Sequence, residues 1–157
     1  MLLQKETEKP QVKPEYANNH IHTIYSFSPY SPTAAIYMAR AEGLQTAGIM
    51  DHDSIGGAEE FRKAGEIAGM GTTCGMECRV DWSDTRLAGY NINNPDQAGV
   101  AYMAIHSVPA TGFDVLQKAF APLREKRNIR NRKMVDNINN IMSPYGITLD
   151  FDKDIIP

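Results

Sequence analysis

The chain has 157 residues, 42% of them hydrophobic, and carries 16 Lys and Arg against 19 Asp and Glu, a formal net charge of −3. That length suits one domain with a real core, the apolar content excludes disorder of the whole chain, and so small a charge calls for neither a nucleic-acid nor an acidic-lipid partner on bulk electrostatics. No apolar run approaches the ~20 residues of a bilayer span, and Cys74 and Cys78 lie too far apart along one strand to bridge.

Residues 1–15 are polar, with Pro10 and Pro14, and read as a flexible arm. No apolar segment of the kind an export signal needs follows Met1-Leu2-Leu3, so the expected setting is reduced and cytoplasmic. A first strand is expected over residues 18–24. Ser31-Pro32 then supplies an N-cap and first-turn proline for a helix burying Ala35, Ile36, Ala39 and Met38, with Gly43 just past its end. The short apolar run 46–50 reads as a strand covered on both faces. A loop over 51–57 leads to a second helix with Ala58, Phe61, Ala64, Gly65 and Ala68 at helical spacing, ended by Gly69 to Gly71. Residues 72–80 form a third strand, 86–91 a possible strand, and 100–105 another buried strand with His106 at its exit. From Phe113 the pattern is helical, interrupted or kinked at Pro122, and it stops at Ser143-Pro144-Tyr145-Gly146. Residues 147–149 could begin a further strand. This alternation predicts an α/β fold with a parallel sheet, either a barrel or an open doubly wound sheet.

All four histidines stand in settings a metal cluster would use. On a strand, His20 and His22 point to one face and can grip one ion together. His52 lies between Asp51 and Asp53, which would either ligate the metal or fix the imidazole tautomer; the competing reading is a polar turn with an aspartate N-cap. Glu77 sits among apolar and small residues, where an unpaired carboxylate would cost several kcal/mol. A metal removes that cost, as would a salt bridge to Arg79 or Arg86. His106 is a further candidate, although a buried histidine satisfied by hydrogen bonds would look the same. Cys74 and Cys78 read as small buried strand residues rather than zinc ligands. In the basic run 124–133, Arg127 and Arg130 share a helix face and would either clamp a phosphate or face solvent.

Together, His20-Ile21-His22-Thr23, Tyr25-Ser26, Ser31-Pro32, Ala39, Gly43-Leu44, Asp51-His52-Asp53-Ser54-Ile55-Gly56-Gly57 and Gly75-Met76-Glu77 resemble the PHP (polymerase and histidinol phosphatase) family of metal-dependent phosphoesterases. The resemblance runs from about Tyr16 to Gly146, within a partial PHP domain expected over residues 16–157. It implies a distorted (β/α)7 barrel, here truncated to its first strands and helices. Up to three divalent ions (zinc, manganese or iron) would sit at the strand ends, with fewer expected here. His20, His22 and Glu77 would hold one ion, Glu77 would bridge to a second shared with His106, and His52 would serve a third. These five residues would carry catalysis, and Arg127 and Arg130 would bind substrate. The implied reaction is hydrolysis of a nucleotide, oligonucleotide or sugar phosphate ester by a metal-activated water. Two departures stand out: Phe27-Ser28 replaces the family's Asp-Gly, and the later histidine and closing Asp-x-His motif do not occur before Pro157. The alternatives are a metal-binding, inactive PHP remnant serving as a structural or interaction module, and an amidohydrolase-type barrel, which also opens on a His-x-His strand. A half-barrel would expose sheet edge and apolar surface, so self-association or a partner completing the barrel is expected, and no membrane contact.

Overall fold

The computed structural model describes residues 13–156. Residues 1–12 of the expected arm lie outside them, whereas 13–15 already belong to the first strand. The chain forms two compact units meeting between Ala119 and Phe120. Among the described residues, no helix is long and apolar enough to cross a membrane.

The first unit is built on β1 (Lys13–Ile21), α1 (Pro32–Ala41), β2 (Leu44–His52), α2 (Ala58–Ala68), β3 (Gly71–Asp81) and β4 (Val100–Ile105). The strands form one sheet in the order β1-β2-β3-β4. The first three run parallel, as two β-helix-β crossovers require. β4 is antiparallel to β3, so the all-parallel expectation fails at the fourth strand.

Local chemistry sets the helix ends. The Ser31 side chain accepts from the Ala34 N–H, Pro32 opens α1, and Gly43 takes the left-handed conformation just beyond it (φ 80°). Gly69 caps α2 in the same way. Ala35, Ile36 and Ala39 of α1 pack with Ala58, Phe61, Ala64 and Ala68 of α2 on Ala47, Ile49 and Cys74 of the sheet. Small residues bring the helices close, and Phe61, wholly buried, fills the space between them. Full burial of such a side chain is worth about 1.5–3 kcal/mol. Met38, expected inside, is exposed. Both thiols are buried, Cys74 against the Ala58 carbonyl and Cys78 against the Met103 carbonyl. Burial pushes the Cys74 thiol up to about 11 and raises that of Cys78, which suits packing and not thiolate ligation.

Register assigns the opposite face. Ile21, Ile49 and Cys74 lie side by side on the helix-covered face. Alternation therefore turns Met50 and His52 of β2, with Gly75, Glu77 and Arg79 of β3, to the other face. A Cβ at Gly75 would collide with the Ile105 carbonyl oxygen and crowd the Met50 side chain, so glycine two residues before Glu77 lets β4 close onto β3.

Residues 86–91 form turns and no strand: Thr85, Ala88 and Tyr90 N–H groups each bond a carbonyl three residues back, and Gly89 has φ 80°. β4 is not the buried strand expected. Only Ala101 is buried there, and His106 beyond its end is exposed. The Asn93 side chain stands in for a neighbouring strand, bonding both the N–H and the carbonyl of Tyr102 at 2.8 Å.

α3 (Phe113–Met142) runs through Pro122 without a break in helical assignment. Phe113 and Leu116, in its first turns, pack on the first unit's core. In the second unit, Ser143-Pro144-Tyr145 forms a 3-10 turn ended by Gly146, as expected. Residues 147–149 are not a strand; the Asn139 side chain holds Leu149 by two 2.8 Å bonds, and a π-helical turn follows (Phe151–Ile155). Arg132 grips Asp152 through two 2.8 Å bonds and stacks over Phe151.

Candidate metal centre

The site lies at the ends of β1 and β2 and beside the middle of β3, on the face away from α1 and α2. His20 is the penultimate residue of β1, and His22 follows its last residue, Ile21; His52 closes β2; Glu77 stands opposite His52 in register. Ligand atoms of His20, His22 and Glu77 all fall within 4.8 Å of one another. His20 Nε2 is 3.8 Å, and His52 Nδ1 3.2 Å, from the same Glu77 oxygen. Two donors each about 2.0–2.2 Å from one ion stand roughly 3–4 Å apart, so these spacings fit a divalent metal. Nitrogen and carboxylate donors also suit zinc, manganese or iron. Among the described residues Glu77 makes no arginine salt bridge; its partners are the His20 and His52 imidazoles.

Asp51 and His52 are successive strand residues and diverge. Asp51 is buried and accepts three 2.6 Å hydrogen bonds, from the Thr23 N–H, the Thr23 hydroxyl and the Ser26 hydroxyl. It therefore latches the loop after β1 onto the end of β2. Ser26 spends its proton on Asp51, so toward His22 Nδ1, 3.4 Å away, it acts as acceptor. That arrangement favours the Nδ1–H tautomer and leaves the Nε2 lone pair of His22 for a metal. Burial, followed by the neighbouring imidazoles His52 and His20, holds His22 below its ordinary pKa of 6.5 and hence neutral, the form that ligates. Asp51, expected to ligate metal or to fix the His52 tautomer, instead acts through Ser26 on the His22 ring. Asp53 adopts φ 51°, a conformation Asp tolerates, and turns the chain out of β2; its N–H donates to the Glu77 carbonyl.

Aromatic rings enclose the imidazoles. Phe27 lies 4.4 Å from the His22 ring, which stacks on His52 at 4.8 Å, and His52 in turn lies 5.5 Å from Tyr102. Phe27 thus sets an apolar ring against two of the imidazoles, those of His22 and His52.

Of the five expected ligands, His20, His22 and Glu77 form one group of ligand atoms, and His52 stands beside it against the Glu77 carboxylate. His106 lies past the end of the antiparallel β4, outside that group. Arg127 and Arg130 lie on α3 in the second unit, where Arg130 bonds the Asn131 side chain. The roles of Thr23, Ser26 and Tyr102, and that of Asp51 toward His22, were not anticipated. The signal for Asp51 was present: if His52 faces the metal, strand alternation sends Asp51 the other way.

No family model matches the chain. Over 63 residues, 40% of its length, it is 32% identical to a 5′-3′ exoribonuclease of Haemophilus influenzae, of which it covers 23%. At 23% identity, 85% of the chain superposes on 40% of a candidate metal-dependent phosphoesterase from Bifidobacterium adolescentis, with a TM-score of 0.59. At the same identity, 87% superposes on 41% of an amidohydrolase from Chromobacterium violaceum that holds sulfate and no metal, with a TM-score of 0.61. The chain spans less than half of each of these proteins. The structural likeness establishes the fold as a mixed α/β, four-stranded curled half-barrel.

Proposed function

We propose that this chain carries the metal-binding part of a PHP-type phosphoesterase that hydrolyses nucleotide, oligonucleotide or sugar phosphate esters. The convergence of His20, His22 and His52 on one carboxylate, Glu77, carries the reading. His20, His22 and Glu77 would hold one ion, and Glu77 would share a second with His52; His106 would have to reach in from the end of β4. A divalent metal there supplies a water acidified enough to attack phosphorus near neutral pH. The protein's own part is to present the His22 imidazole neutral, with its tautomer set through Ser26, and to pack Phe27 and Tyr102 beside the ring cluster. Similarity over 63 residues to an exoribonuclease supports a phosphate over an amide substrate. Arg127 and Arg130 remain proposed substrate contacts, and the remaining ligands and barrel strands would come from further chain or a second copy.

The test is hydrolysis of p-nitrophenyl phosphate and its diester by metal-stripped protein resupplied with zinc or manganese, with a p-nitroanilide in parallel. The expected result is metal-dependent release of nitrophenol that falls at least about 100-fold in His22→Ala. Metal uptake with no turnover would support the inactive structural module instead, and anilide cleavage alone the amidohydrolase.

A further inference from the structure

We propose that Arg79, held in place by Tyr102, is the residue of this site that grips the substrate's phosphate group, an inference resting on the phosphoesterase reading above. Arg79 follows Glu77 by two positions on β3, so both side chains rise from the site face about 6.6 Å apart along the strand. Tyr102 is its cross-strand partner on β4. The guanidinium donates to the Tyr102 hydroxyl at 3.1 Å and lies 5.4 Å from the centre of that ring, whose other neighbour is the His52 ring. Asn93 fixes the Tyr102 backbone on its far side. A continuous line of contact thus runs from the imidazoles to Arg79.

Three features distinguish Arg79 from an ordinary surface charge. Among the described residues it makes no ion pair with a carboxylate, since Glu77 is engaged by His20 and His52. One of its five N–H donors goes to a neutral hydroxyl, and the rest remain for an incoming group. Its planar fork matches two oxygens of a phosphate, and a stacked, tethered guanidinium loses little freedom on binding. The site also needs such a group: the metal ligands Glu77, His20, His22 and His52 include no permanent cation, while a phosphate ester brings one or two negative charges.

Inorganic phosphate is the probe. Its binding to the metal-loaded chain is measured calorimetrically for wild type, Arg79→Met and Arg79→Lys, with metal content determined in each. The expected result is unchanged metal content, phosphate affinity at least about tenfold weaker in Arg79→Met, and partial recovery in Arg79→Lys, which restores the charge without the fork. Equal phosphate affinity in wild type and Arg79→Met, or no phosphate binding by metal-loaded wild type, would overturn the assignment. Failure of wild type to take up metal would instead overturn the phosphoesterase reading. Phosphate titration of the metal-free proteins would then still decide on Arg79, because only an Arg79-dependent affinity sustains its role.

Discussion

Replacing Glu77 by alanine is expected to abolish tight metal binding while leaving the metal-free protein folded. The carboxylate stands between His20 and His52, with one oxygen facing both imidazoles. Its loss removes a direct ligand. Perturbing even an outer partner of a metal site costs about 10–100-fold in affinity, so removing Glu77 should cost more than 100-fold. Without metal, Glu77 offers little net stabilisation, because desolvation of a partly buried carboxylate offsets its attraction to neighbouring imidazoles. Metal that binds only the folded state at 100 times its Kd adds about 2.7 kcal/mol of stability. Thermal unfolding with and without zinc should therefore show a metal-dependent rise in wild type and none in Glu77→Ala, with coincident metal-free curves. Full metal content by elemental analysis after the substitution would contradict the ligand role.

The second large effect belongs to Asp51. Its carboxylate receives two donors from Thr23 and one from Ser26, all within the buried join between β1 and β2. Substitution by alanine strands the Thr23 N–H in an apolar setting and releases the loop that carries His22 and Phe27. Loss of hydrogen bonds to a charged acceptor, at about 1.5–3 kcal/mol each and partly compensated as the hydroxyls turn to new partners, gives an expected destabilisation of about 3–5 kcal/mol. Urea unfolding measures it. Where the variant is folded, zinc affinity should drop about 10–100-fold, because the Asp51–Ser26–His22 chain no longer fixes the imidazole. Asp51→Asn retains one acceptor oxygen and should fall between. A metal affinity untouched by either change would reduce Asp51 to a purely structural latch.

Comparison of particular elements shows where the amino-acid pattern suffices. Ser31-Pro32, Gly43 and Gly69 are local devices, and the periodic alanines with Phe61 mark one buried helix face, so α1, α2 and the strands beside them are readable directly. The His-x-His pair is readable as a pair at the end of the first strand, but the strand expected over 18–24 stops at Ile21 and leaves His22 in the segment beyond it. Strand direction is not written locally. Residues 100–105 form an apolar run that looks alike in a parallel or an antiparallel strand; the fold reverses it, and with it the place where His106 leaves the sheet. Residues 86–91 are open to a strand reading, yet i-to-i−3 turn bonds and the positive φ of Gly89 claim the backbone, in a segment where Ala88, Gly89 and Asn91 disfavour a strand. The long-range contacts were the least visible. Nothing near Asn93 in the chain announces that its amide serves Tyr102, and the pairing of Arg79 with Tyr102 requires the β3–β4 register.

The most direct measurement of the central claim is anomalous diffraction from crystals of the chain grown with manganese or zinc. The account requires a strong peak within about 2.3 Å of a nitrogen of His20, a nitrogen of His22 and an oxygen of Glu77, with any second peak shared between Glu77 and His52. Metal located elsewhere on the surface, with these four side chains left uncoordinated, would contradict it.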